Sequence, residues 1–108
     1  MSAGLSWTLL VVAGLLEVAF ALGLKHASGL QRPWAAAGTL AALLGSLALL
    51  SAALRQLPVG TAYAVWTGIG AAGTALLGIL VLGEPATVAR LACVGVIVCG
   101  VVGLRLAA

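Results

Sequence analysis

Glu17 is one of two acidic residues in the 108-residue chain, and it stands near the middle of an apolar stretch, Leu5 to Leu24. That stretch is long enough to cross a bilayer. A carboxylate at bilayer depth is unfavourable by roughly 2.5–3.5 kcal/mol on insertion scales, and such residues mark ion pathways and proton relays. No Lys or Arg occupies the interior of any apolar stretch. A counter-charge for Glu17 therefore has to arrive as a mobile cation. The other reading of Glu17 is a structural hydrogen bond to a neighbouring helix. Gly14 and Ala21 lie at i−3 and i+4 from the acid, on the same helical face. Their small side chains leave space in front of the carboxylate, which suits a solute.

A second group lies in the run Val59 to Gly73. Tyr63, Trp66 and Thr67 fall together at i, i+3 and i+4, with Gly70 one turn on. Trp66 is deep in its apolar stretch, away from the interfaces that Trp favours. A deep indole beside a phenol offers a ring face to a cation and a hydroxyl to a carboxylate. Lipid contact or core packing is the alternative for Trp66. Gly68, Gly70 and Gly73 permit a bend or a close approach, and a bend here would serve as a hinge for alternating access. Ser46, near mid-depth of its own stretch, is placed either to orient Glu17 or to bond its own helix backbone at i−4. His26 reads as a membrane-edge residue beside Lys25. Glu84, before Pro85, reads as a helix-start residue that complements a helix dipole, not as a transport acid.

These residues need four membrane helices to position them. The chain is 64% hydrophobic and 6% charged, where a soluble domain carries about a quarter charged residues. Its mean hydropathy is +1.30. Spans are expected at about 5–24, 34–54, 59–82 and 87–106, in one transmembrane domain that leaves no soluble domain over. Continuous rather than alternating apolarity excludes a strand barrel. Trp7 and Trp34 are expected as interfacial anchors. Lys25, His26, Ser28, Gly29, Gln31, Arg32 and Pro33 form the first loop, and Pro85 suits the first turn of the last helix. Ala19-Phe20-Ala21 fits the loose pattern of a signal-peptidase site. No Lys or Arg precedes it in the stretch 1–6, and Glu17 would fall in the apolar region, so cleavage is not expected.

The net charge of +3 comes from dispersed residues near span ends, which excludes a nucleic-acid surface. Cys93 and Cys99 suit neither a metal site nor an intrahelical disulfide and read as small apolar residues. No metal, cofactor or enzymatic constellation is present in the sequence; no Ser/His/Asp set or phosphate loop occurs.

Four helices are too few to enclose a solute path and still bury their own contacts, so a second chain is expected. Gly95, Cys99 and Gly103 recur every four residues on the last span, a spacing that allows close helix approach. They serve either a dimer interface or packing within the chain. With four spans, Arg55 and Arg105 share one side while Lys25, Arg32 and Arg90 share the other. Two against three is almost no bias under the positive-inside rule. Such a chain either inserts both ways up, which permits an antiparallel pair, or has its topology fixed by something other than charge. In either case a proton and a substrate cation would compete for Glu17, and two copies in a dimer would titrate as one coupled site.

The chain resembles the small multidrug resistance family over essentially its whole length. More narrowly it resembles the guanidinium-exporter subtype. The residues that carry the resemblance are Ala13-Gly14-Leu15-Leu16-Glu17-Val18, Leu22-Gly23-Leu24-Lys25 and the run from Leu57-Pro58-Val59-Gly60-Thr61-Ala62 through Tyr63-Ala64-Val65 to Trp66-Thr67-Gly68-Ile69-Gly70-Ala71. The resemblance implies an all-α membrane protein, an antiparallel dual-topology homodimer in the bacterial cytoplasmic (inner) membrane. It implies exchange of guanidinium, or small substituted guanidinium ions, for protons. Glu17 would bind substrate and protons, Ser46, Tyr63 and Trp66 would line the site and hydrogen-bond the acids, and Gly14 would be a small residue of the same pocket. The last span would be the dimerising helix.

One position departs from the subtype. Phe20 stands where a Trp is usual, which removes an indole N–H and leaves Ser46 as the candidate to rewire the polar network. The alternatives to guanidinium export are export of quaternary ammonium or other lipophilic cations, and a non-transporting assembly subunit that would tolerate Glu17→Gln.

Overall fold

The computed structural model describes residues 2–28 and 30–108; Met1 and the first-loop residue Gly29 lie outside the described residues. Four α-helices follow in order: α1 (Ala3–His26), α2 (Pro33–Ala53), α3 (Val59–Leu82) and α4 (Val88–Ala107). Each is long and apolar enough to cross a membrane.

The helix ends follow local chemistry. Ser2 caps α1 by accepting from the Leu5 amide at 3.1 Å. Lys25 and His26, expected in the first loop, form the last turn of α1 instead. Pro33 opens α2, where its missing N–H has no helical partner to lose. Gly83 closes α3 with φ +70°, a left-handed conformation that glycine adopts without steric penalty. At the start of α4 one expectation changes, the place of Pro85. Thr87 is its cap, accepting from the Arg90 amide at 3.2 Å, so Pro85 lies in the connection and not in the first turn. A threonine able to satisfy a free amide sets the boundary here more strongly than the proline does.

α1 is the central helix, packed on both α2 and α3, while the backbone of α4 packs on α3 alone. The helix pairs meet where a glycine faces a bulkier group. Gly14 lies under Ile69 and Gly73 against Val18 at the α1–α3 contact; Gly45 faces Leu16 and Gly23 faces Thr39 at the α1–α2 contact. Gly68 faces Val101 and Ile97 of α4. Leu10, Ala13, Leu50, Ala53, Ala62 and Val65 form the buried cluster among α1, α2 and α3.

Ala3 and Trp7 of α1, Leu57 and Pro58 of the second turn and Arg105 of α4 line one cavity. The beginning of α1, the α2–α3 turn and the end of α4 therefore share one side. There the Arg105 guanidinium stacks 4.8 Å from the Trp7 ring. The molecule measures 38 × 35 × 17 Å. A helix with its side chains is about 10–12 Å across, so the bundle is less than two helices thick, and Leu and Val cover much of its outer surface.

Candidate functional site

An open groove of about 670 Å³ is lined mainly by α1 and α3, with Leu43 of α2, and Glu17, Phe20, Tyr63, Trp66 and Gly70 are among its walls. Glu17 projects from the middle of α1. Its carboxylate rests against Gly70 of α3, where a Cβ would collide with it. The missing side chain of Gly70 thus makes the space in which the acid lies against α3. Among the described residues Glu17 has no hydrogen bond and no ion pair. The structural hydrogen bond that competed with a site reading is not made, and the Tyr63 hydroxyl does not bond the acid.

The aromatic pair is held in place from behind. Trp66 donates its indole N–H to the Ser46 hydroxyl at 2.9 Å, and Ser46 in turn donates to the carbonyl of Ala13 at 2.6 Å. Ser46 is completely buried. Tyr63 leans on Trp66 with ring centres 5.6 Å apart and planes at 55°. Thr67 is bonded to its own helix through the Tyr63 carbonyl at 2.9 Å. A chain of two hydrogen bonds therefore fixes the indole of α3 to the backbone of α1 through α2.

Two sequence expectations change with this geometry. Ser46 bonds neither Glu17 nor its own helix. A hydroxyl has a single proton to give, and Ala13 receives it, so Ser46 positions Trp66 and does not replace the donor absent at Phe20. Gly14 is buried under Ile69 rather than facing the space before the carboxylate. Its small size serves the α1–α3 approach one turn from the acid. Phe20, Tyr63 and Trp66 do come together with Glu17 around the groove.

Outside their own helical turn, Gly95 and Gly103 have no neighbour within 4 Å of the position a Cβ would take, and Cys99 is exposed. The stripe of α4 therefore faces outward. Packing within the chain uses the neighbouring face: Val94 is buried, and Ile97 and Val101 lie over Gly68.

Thr74, Leu43, Lys25 and Glu84 also line the groove and were not singled out for it in the sequence. Thr74 was accessible to periodicity, since it follows Thr67 by two turns on the same face. Leu43 lies one turn before Ser46. Glu84 was not accessible, because only the turn at Gly83 brings it back over α3.

A family model described as Small Multidrug Resistance protein matches residues 5–97. The chain is similar to the "Guanidinium exporter" of Citrobacter freundii, 57% identical over 102 residues, which covers 94% of this chain and 97% of that protein. It is similar to that of Salmonella typhimurium strain LT2, 55% identical over 104 residues, with 96% and 99% covered. The "Guanidinium exporter" of Yersinia pseudotuberculosis is 53% identical over 103 residues, with 95% and 99% covered. Four membrane-length helices around one intramembrane acid, with these matches along nearly the full length, make this chain a multi-pass membrane protein that belongs to the Small Multidrug Resistance protein family.

Proposed function

We propose that this chain is not an enzyme but an exporter of guanidinium and small substituted guanidinium ions, that it exchanges them for protons, and that it works as an antiparallel homodimer in the bacterial cytoplasmic (inner) membrane. The observation that carries the reading is Glu17: an acid at mid-span, without a partner among the described residues, facing a groove walled by aromatic rings. The names of relatives more than half identical over nearly their whole length point to the same cation.

A planar cation with N–H donors matches a carboxylate through two parallel hydrogen bonds, and its π-face matches Tyr63 or Trp66. A proton neutralises the same oxygens. Each excludes the other, so one acid carries either ion in turn. If the deprotonated, unliganded acid does not cross the membrane barrier, every reorientation carries a proton or a substrate, and the inward proton gradient drives cations out.

The flat shape of the chain supports a second copy. A bundle only 17 Å thick in one direction, with an open groove that holds Glu17, supports a second subunit that covers the acid from lipid. An antiparallel partner would bring a second Glu17 to the same chamber, and the outward stripe of Gly95, Cys99 and Gly103 offers the contact between α4 helices.

One observation favours a broader substrate range. The groove is large and mainly apolar in lining, and Phe20 presents a hydrocarbon ring to it. Quaternary ammonium ions with alkyl tails fit such a wall. Proteoliposomes separate the readings. Proton flux driven by guanidinium, lost with Glu17→Gln, is the expected result. Flux driven by tetraalkylammonium ions but not by guanidinium would exchange the leading reading for the broader one, and guanidinium flux undiminished in Glu17→Gln would sink the role of the acid.

A further inference from the structure

The groove ends on the second acid of the chain. Building on the guanidinium reading above, we infer that Glu84 is a transit contact for the substrate at the groove mouth, reached when the arriving guanidinium ion displaces the guanidinium group of Arg90.

Glu17 and Glu84 are the chain's two acidic residues, and both line the same groove. The fold puts Glu84 there by a specific device. Gly83 takes a left-handed conformation, and the amides of Gly83 and Glu84 both turn back to the Gly78 carbonyl. The Glu84 carboxylate is thereby laid over Gly78, so closely that a Cβ on Gly78 would strike it. Gly70 does the same for Glu17. These two glycines are eight residues apart on one helix, about 12 Å along the axis. One acid thus sits at depth and one at the rim, each seated on a glycine of α3.

The rim acid is already engaged with the substrate's own functional group. Arg90 Nη2 donates to Glu84 Oε1 at 3.2 Å, with the two side chains 41% and 36% exposed. The contact is one nitrogen on one oxygen, not the paired fork that a guanidinium and a carboxylate can make. A free guanidinium ion offers the same planar set of donors, so the exchange replaces one charge-assisted bond by another of its kind. Half-exposed ion pairs contribute little, and Arg90 can swing into solvent. Lys25, on the α1 wall of the same mouth, adds a second positive charge. A cation therefore gains a foothold at the rim by taking the place of Arg90, not by adding to it. From there the groove leads past Thr74 to Glu17.

The test is the concentration dependence of guanidinium flux into proteoliposomes for wild type, Glu84→Gln, Glu84→Asp and Arg90→Gln, with Glu17→Gln as the control for the deep site. Removing the rim acid should raise KM about two- to fivefold, the scale of a half-exposed charge contact, with maximal rate little changed. Removing its internal competitor should lower KM. Glu84→Asp should stay near wild type. Equilibrium guanidinium binding in detergent should persist in Glu84→Gln and disappear in Glu17→Gln. A merely structural ion pair predicts that Glu84→Gln and Arg90→Gln shift KM in the same direction or not at all, and either result overturns the inference while leaving guanidinium export standing. Should Glu84→Gln not fold, Arg90→Gln decides alone, since an unchanged or raised KM overturns the inference. Wild-type protein without guanidinium flux would overturn the exporter reading and this inference with it.

Discussion

Ser46 links three helices through one hydroxyl, and its removal should be felt in both structure and site. Ser46→Ala strips the Trp66 indole N–H of its acceptor and the Ala13 carbonyl of a donor. Leaving a buried polar group unpaired costs about 1–3 kcal/mol. Thermal unfolding in detergent should show that loss, and guanidinium affinity should fall as the ring loosens; an unchanged melting temperature would mean that the bridge contributes nothing. Gly70→Ala makes a different demand. Its new Cβ meets the Glu17 side chain and no backbone among its three nearest neighbours, so the helix should fold while the acid is displaced. Near-normal stability with at least tenfold weaker guanidinium binding, the scale of a lost charged contact of about 1.5–3 kcal/mol, is the expected result by calorimetry. Much of this scale was readable in advance. An acid amid apolar residues stands out from the sequence, and the spacing of Tyr63 and Trp66 puts them on one face, which the structure turns toward the same groove as Glu17. The partners of Ser46 were not readable. A hydroxyl has the same composition whether it faces an acid, its own helix or a neighbouring carbonyl, and only the crossing of α1 and α2 decides which acceptor it meets.

At the scale of the helices, glycines decide how closely α1, α2 and α3 meet. Gly14→Ala places a Cβ 2.6 Å from Ile69 Cγ2 and 2.8 Å from Ile69 Cβ. The β-branched Ile69 cannot yield by turning a flexible tip, so overpacking of about 1–3 kcal/mol is expected, visible as a lower melting temperature. Gly95→Ala and Gly103→Ala meet nothing within the chain, and their effect on the isolated subunit should be negligible. If α4 forms the dimer contact, Gly103→Leu should dissociate dimers on size exclusion with helicity by circular dichroism unchanged. Dimers that survive this substitution would place the interface elsewhere. Continuous apolarity made the existence of four helices plain from sequence, because a membrane leaves the backbone few other ways to satisfy its hydrogen bonds. Helix ends were less plain. Near α4, Pro85 and Thr87 both signal a start, and the threonine side chain that bonds the Arg90 amide prevails.

For the whole molecule, the open slab and the balanced charges bear on the same question. Arg55 and Arg105 lie toward the end that holds the start of α1, and Lys25, Arg32 and Arg90 toward the other. A bias of one positive residue gives the insertion machinery little to act on, and on the reading proposed above a partner walls the open groove off from lipid. Insertion in both orientations would meet both conditions with one gene product. Orientation should therefore yield to a few added charges. Ser2→Arg with Gln56→Arg and Ala108→Lys should hold the first end in the cytoplasm, whereas Gln31→Arg with Ala86→Arg should hold the other end there. These residues are exposed; Ser2→Arg gives up the cap of α1, a loss of about 0.5–2 kcal/mol at one helix end, and the other changes meet no packed neighbour, so the fold should tolerate the set. Each variant expressed alone should lose guanidinium export, because every copy then points the same way and no antiparallel pair can form. Expressed together they should regain it, and Glu17→Gln in either partner should remove it again if both acids serve one chamber. Full export from either variant alone, with accessibility labelling showing a single orientation, would exclude the antiparallel pair and require that Glu17 be covered by a partner inserted the same way up.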